Sequence, residues 1–403
     1  MTVEEARALD AADPLGFARA RFALPDRLIY LDGNSLGALP VASAQRVART
    51  IQDEWGRDLI ASWDKHGWID QSARLAAMLA PIVGAGADEI SVGDSTSINL
   101  AKLLGAALKA RPGRRVILSE TGNFPTDLYI AAAAPGAELR TVATEEIEAA
   151  LTDAVAVVML THVDYRSAAV HDMAAMTRAA HEVGALALWD LSHSAGAVEL
   201  DLAGSGADLA VGCGYKYLNG GPGAPAFLFV ARALQEQLAN PLPGWFGHAD
   251  PFAFEPDYRP APGIARFTTG TPSIIAMAAL EAGLASFDGI AMADLAAKSR
   301  RLSELFRAEI EARCPELVLA SPTDPMDRGS HLVFAHDQAY PLMQALIARD
   351  VVGDYREPNL VRFGFAPLYN RFEEMVRAAA IVAEVLATRE WDDARFHERA
   401  KVT

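Results

Sequence analysis

"ALALWDLSHS", residues 185–194, opens with five apolar side chains in a row and then stops on an aspartate. A run that is apolar on both faces needs cover on both faces, as a strand inside a parallel sheet does. An acid at the end of such a strand is costly to bury unpaired, so Asp190 needs a partner that favours an anion. A protonated pyridine nitrogen would serve. His193 follows three residues later.

Working outward, "RRVILSE" (114–120), "AVAVVMLTHV" (154–163), "ADLAVGCG" (207–214) and "APAFLFV" (224–230) read as further strands. "MAAMTRAAHEVG" (173–184) reads as a helix closed by glycine, and 45–59 carries apolar residues at helical spacing. Buried strands alternating with helices predict an α/β fold with a largely parallel sheet. Beyond about residue 270 the texture changes. A long alanine-rich helical region (273–313) leads to "SHLVFAH" (330–336), "VVGDYR" (351–356), "LVRFGFA" (360–366) and a last helix over 371–388. These predict a smaller α+β domain completed by the N-terminal residues. The boundaries expected are 45–270 for the large domain, and 1–44 with 271–403 for the small one. The Pro-, Gly- and aromatic-rich stretch 241–272 is too long and irregular for a simple connector.

The 403 residues carry a net charge of −16, which argues against a nucleic-acid surface and against an anionic membrane surface. Two cysteines, Cys213 and Cys314, leave no disulfide framework and no cysteine-rich metal site. The acidic, mixed start lacks the regions of a signal peptide, and no apolar run reaches spanning length. A cytoplasmic protein is expected.

Short motifs mislead here. "VGAGADEI" (83–90) has Glu89 where a dinucleotide fingerprint needs its third glycine, and "HEVGA" (181–185) lacks the second histidine of a zinc helix. "LIYLDGNSLG" (28–37) satisfies G-x-S-x-G and would make Ser35 the nucleophile of a serine hydrolase. Against that, almost no sheet precedes it, and Pro40 delays the helix that should start at the serine.

The turns after the predicted strands carry the chemistry. "GDSTSINLAKLL" (93–104) sets Ser95, Thr96 and Ser97 at a helix start, where hydroxyls and free N–H groups suit a phosphate, although one hydroxyl would suffice for an ordinary cap. "NFPTD" (123–127) offers the aromatic Phe124 and the acid Asp127. "GCGYKYLNGGPG" (212–223) places Lys216 between two tyrosines, in a chain with six lysines against thirty arginines. An amine can lose its proton and attack a carbonyl, which a guanidinium cannot. Phosphate cup, aromatic, acid and Schiff-base lysine on successive strand ends suit pyridoxal 5'-phosphate.

With these motifs, and with "YLDGNSLG" (30–37), "STSINL" (95–100), "WDLSHSAG" (189–196), "GWFGH" (244–248), "FTTGTPSI" (267–274) and "LVRFGFAPLYNRF" (360–372), the chain resembles the kynureninase family. That family belongs to the aspartate-aminotransferase-like, type I fold pyridoxal-phosphate enzymes. The resemblance implies a seven-stranded-type, mostly parallel sheet in the large domain, plus the smaller α+β domain. It implies that Lys216 binds the cofactor as a Schiff base and that Asp190 pairs with the pyridinium. Asp127, Pro125 and Thr126 would lie around the ring, with Phe124 stacked on it and His193 near the ring and its acid. Thr96 and Ser97 would bind phosphate, and Tyr215 would contact it and assist proton transfer. Trp245 and Thr271 would complete the phosphate site from a neighbouring subunit, implying a homodimer with shared active sites. Arg362 would clamp the substrate α-carboxylate. The reaction implied is hydrolytic cleavage of L-kynurenine or 3-hydroxykynurenine to an anthranilate and L-alanine, in tryptophan catabolism or NAD biosynthesis. The aryl group would be held by aromatics of 245–258 and of "SWDKHGW" (62–68), through Trp63, His66 or Trp68. A class V aminotransferase or desulfurase, a catalytically silent relative and the Ser35 hydrolase stand as alternatives.

Overall fold

The computed structural model describes residues 1–399. Its strands in chain order are β1 (Ile29–Tyr30), β2 (Ile90–Val92), β3 (Val116–Glu120), β4 (Glu138–Val142), β5 (Val155–Thr161), β6 (Leu186–Asp190) and β7 (Leu209–Gly212). They continue with β8 (Phe227–Val230), β9 (Val318–Leu319), β10 (His331–Ala335), β11 (Val351–Val352), β12 (Asp354–Arg356) and β13 (Leu360–Gly364). A seven-stranded sheet runs in the order β2-β8-β7-β6-β5-β3-β4, and β4, β3, β5, β6 and β7 are mutually parallel.

The alternating side chains of β6 explain the two-sided cover. Leu186 and Leu188 enter a core with Leu100, Leu103 and Leu104, on the helix Thr96–Ala110. Ala187 and Trp189 enter a second core with Leu75 and Leu79, on the helix Gln71–Val83. Each fully buried Leu or Phe in these layers contributes roughly 1.5–3 kcal/mol relative to exposure.

Several expectations change. β8 runs antiparallel to β7, because the connection 213–226 contains no helix to carry the chain back. β2 and β4 join the sheet although neither reads as an apolar run. β2 has only three residues, and β4 ("ELRTV") is an edge strand with no fully buried side chain. The helix expected over 45–59 starts at Val41, behind Pro40, and passes at Thr50 into a π-helical stretch ending at Asp58. The region 273–313 is two helices, Ile274–Ala285 and Met292–Arg313, parted at Gly289 with φ +74°.

A four-stranded sheet, β12-β13-β10-β9, and the β1–β11 pair lie outside the large sheet. Their core gathers Phe306, Phe334, Phe363 and Phe365 with Ala6, Ile29 and Leu31 from the N-terminal stretch. Leu15, Ala18, Phe22 and Ala38 pack instead in a core of the large sheet. No helix among the described residues is long and apolar enough to cross a membrane.

Candidate active site

Register brings the strand ends together. Thr161 of β5 sits beside Asp190 of β6, and Asp190 sits beside Val211 of β7. The turns that follow therefore open into one cavity of about 230 Å³, lined by Thr96, Ser97, Phe124, Thr126, Asp127, Asp190, His193, Tyr215 and Lys216. Ser95, Thr161, Tyr165, Ser192, Cys213, Ala224 and Ala226 complete the wall.

At the phosphate end, Ser95 caps the helix Thr96–Ala110 by accepting from the Ile98 N–H at 3.4 Å. That cap leaves the hydroxyls of Thr96 and Ser97 for a ligand at the positive end of a fifteen-residue helix. Phe124 is held by buried Asn123, whose side-chain oxygen accepts from the Phe124 N–H at 2.7 Å and whose amide donates to Ser119 Oγ at 2.9 Å. Pro125 opens the helix Pro125–Ala132 as its first residue and does not itself line the cavity.

The acids carry the electrostatics. Asp190 Oδ1 accepts from the Ser192 N–H at 2.8 Å and from its hydroxyl at 2.6 Å. Asp127 faces Asp190, and its carboxyl is pushed up to about 9, first by burial and then by the Asp190 charge. Asp127 therefore stays protonated near neutral pH. Lys216 Nζ lies 2.9 Å from His193 Nε2 and 5.9 Å from the centroid of the Phe124 ring. Burial first, and the Lys216 charge second, hold His193 well below the usual imidazole range, so it is neutral. Burial, then the Cys213 thiol and the Asp190 charge, raise the Tyr215 phenol.

Lys216 is held in place by the turn that had suggested a serine nucleophile. The Gly37 N–H donates to the Tyr215 carbonyl at 2.8 Å, and a Cβ at position 37 would stand 2.3 Å from the Lys216 carbonyl oxygen. Ser35 itself donates to Asp354 Oδ2 at 2.7 Å and accepts from Arg362 Nη2 at 3.0 Å. Neither partner is a base histidine.

One buried polar atom in the cavity wall, His193 Nδ1, lacks a protein partner, and Asp127 is satisfied only by the neighbouring Asp190 carboxyl. Together with the Asp190 carboxylate, the stacking face of Phe124, the Lys216 amine and the hydroxylated helix start, they fit pyridoxal phosphate.

Three expected residues lie apart from this cavity. Arg362 is buried one shell away and donates from Nη1 to the carbonyl of Tyr165, itself a lining residue, at 2.6 Å. Trp245 is one-third exposed and packs on Phe246 at 4.2 Å and on Phe252 at 5.7 Å. Thr271 lines a separate cavity of about 480 Å³ with Phe246, Asp94 and Lys102. Trp63 joins Phe246 at 5.7 Å and Trp68 at 5.8 Å, so the 62–68 and 245–258 aromatics form one cluster. His66 is engaged by Asp58 at 2.7 Å.

Sequence reasoning missed Tyr165, whose ring meets Phe124 edge-on at 5.2 Å, and His331, whose ring lies 5.6 Å from that of His193. It also missed Asp354 and Asn34, which surround Arg362. Asn34, His331 and Asp354 lie in stretches read only as a turn or as strands, and Tyr165 in none; only the tertiary fold brings them to the site.

Comparison with known proteins adds a family. Residues 295–382 match the model of the kynureninase C-terminal domain. The chain is 50% identical over 414 aligned residues to a kynureninase from Pseudomonas fluorescens, with 100% of both chains covered. It is 49% identical to one from Burkholderia mallei, again over 100% of both. Among solved structures, a cysteine desulfurase from Thermococcus onnurineus superposes with a TM-score of 0.78 at 18% identity, covering 92% of this chain and 98% of that one. A cysteine desulfurase from Escherichia coli gives 0.77 at 19%, covering 93% and 98%. At these identities the structural likeness speaks for the fold.

Proposed function

Because the chain belongs to the kynureninase family, we propose that it cleaves L-kynurenine, or its 3-hydroxy form, to an anthranilate and L-alanine, in tryptophan breakdown. It is a pyridoxal-phosphate-dependent hydrolase of a carbon–carbon bond. The observation that carries the site assignment is the convergence of Lys216, Asp190, Asp127 and the Thr96–Ser97 helix start on one cavity.

Bound pyridoxal phosphate supplies an electron sink for charge developing at Cα and Cβ of the substrate. The chain's residues do the rest. Lys216 would hold the cofactor, and its free amine would take the Cα proton of the substrate as general base. Neutral His193 accepts a hydrogen bond from the Lys216 amine and keeps it pointed into the cavity. Asp190, fixed by Ser192, would keep a proton on the ring nitrogen of the bound cofactor. Water adds to the γ-carbonyl, the Cβ–Cγ bond breaks, and Cβ receives a proton, so one water is consumed per anthranilate and alanine formed. Burial keeps the Tyr215 phenol protonated, so it would be able to donate that proton, directly or through a water it orients. Arg362 receives the α-carboxylate.

A homodimer belongs to the same proposal, with Trp245 and Thr271 of one copy completing the phosphate site of the other. It is supported by their distance from their own chain's cavity and by the exposure of Phe252 and Phe254 beside Trp245. The division at residues 45–270 against 1–44 with 271–403, and a cytoplasmic location, remain part of this reading.

Rival chemistry finds little support. A desulfurase needs an exposed reactive cysteine, yet Cys213 and Cys314 are both buried, and burial raises both thiols. The decisive experiment is the visible spectrum of the purified protein before and after L-kynurenine. A yellow protein that forms anthranilate and alanine in equal amounts, and loses both colour and activity as Lys216→Ala, is the expected result. A yellow protein that leaves kynurenine and 3-hydroxykynurenine intact would sink the assignment.

A further inference from the structure

Arg362 and Asp354 stand directly opposite one another on the antiparallel strands β13 and β12, and both side chains are 1% exposed. Arg362 Nε donates to Asp354 Oδ1 at 2.7 Å, and Nη2 donates to Oδ2. That engages one edge of the guanidinium fork. Ser35 bridges the pair through its bonds to Asp354 Oδ2 and Arg362 Nη2. The Asn34 amide, turned so that its oxygen faces the fork, accepts from Nε at 2.9 Å and Nη2 at 3.0 Å. Nη1 donates one proton to the Tyr165 carbonyl, and its second proton has no hydrogen bond among the described residues. The guanidinium is pinned along one edge and keeps a donor on the other.

The charges do not close. Asp354 Oδ2 also accepts from Arg356 Nη2 at 2.6 Å, so one carboxylate serves two guanidiniums. Asp32 lies alongside, and burial, then the Asp354 charge, push its carboxyl up to about 7, so it offsets only part of the excess. This cluster carries surplus positive charge beside the cavity, where a substrate carboxylate would neutralise it.

We propose that Asp354, bridged by Ser35, is a positioning residue for substrate recognition: it fixes the plane of the Arg362 guanidinium so that the remaining edge meets the α-carboxylate. This rests on the reading of Arg362 as the carboxylate-binding arginine and deepens it.

The test uses holoenzyme carrying Asp354→Asn, which keeps the shape and removes the charge. KM for L-kynurenine and the Kd of L-alanine, followed through the visible spectrum, should rise about tenfold or more, each tenfold being about 1.4 kcal/mol. The value of kcat should stay within about threefold. Inhibition by anthranilate, which lacks the α-carboxylate, should not change, and neither should cofactor retention on dialysis. Ser35→Ala removes only the bridge and should give the same split at lower amplitude, which keeps the test open if the first variant folds poorly. Unchanged alanine affinity in both variants overturns the proposal. So does a joint loss of alanine, anthranilate and cofactor binding, which would mark a pair that only holds the fold. Arg362→Lys tests the premise: if it leaves alanine affinity unchanged, the reading of Arg362 falls, and the positioning role with it.

Discussion

Asp127 and Asp190 face each other in the cavity wall, Asp190 held by Ser192 and Asp127 held protonated by burial and by the Asp190 carboxyl it bonds to. The pair therefore ties the stability of the protein to pH.

In the cofactor-free protein, the Asp127 carboxyl lies at about 9 against an ordinary 3.8. A raised acid contributes stability that is complete below its ordinary value and is lost as pH rises through the folded one. Urea unfolding of the cofactor-free protein should show stability falling from pH 4 to 9, by at most about 1.4 kcal/mol per pH unit from this group. Asp127→Asn should flatten that slope. An equal slope in the variant would show that the Asp127 carboxyl is not raised.

Asp32 titrates near 7, and it faces Asp354, Ser35, Arg362 and Arg356 from the β12–β13 side, with Tyr30, Tyr217 and Tyr369 around it. Below 7 it is protonated and leaves the arginines to the substrate; above 7 its charge competes for them. KM for kynurenine should therefore rise as pH passes upward through 7, and Asp32→Asn should remove that rise. A pH-independent KM in the native enzyme contradicts this assignment.

Gly37→Ala would press a methyl to within 2.3 Å of the Lys216 carbonyl. Overpacking of this kind costs about 1–3 kcal/mol when the backbone must move. Thermal unfolding should register the loss, and cofactor affinity should fall with it, because the displaced loop carries Lys216. Normal cofactor affinity in the variant would show that the turn does not position the lysine.

A thiol reagent should label neither Cys213 nor Cys314 until denaturant is added, since both are buried and their thiols are raised by that burial. Rapid labelling of the native holoenzyme with loss of activity would revive a thiol-based reaction.

The chemistry of the site was legible because it lies in residue types at strand ends. Lys216, Asp190, Asp127 and the Thr96–Ser97 helix start each follow an apolar run or open a helix, and apolar runs are what a buried parallel sheet imposes on a sequence. The signal failed at the edge strand β4, which is only partly buried, and at β2, which is buried but only three residues long. The antiparallel β8 was legible as a strand but not in direction, which the helix-free loop 213–226 decides.

What the sequence by itself determined was the set of groups and the local elements that carry them. Which groups meet was decided only by tertiary structure. Asp354 and Arg362 are eight residues apart and touch because an antiparallel register sets them opposite each other. Ser35 reaches the same cluster from more than 300 residues away, through the β1–β11 pairing that brings the N-terminal stretch onto the second body. Hydrophobic periodicity reports only whether a face is covered, and any sheet order that covers the faces satisfies it. Strand order and register choose the partners, and with them the edge of Arg362 that remains for a substrate.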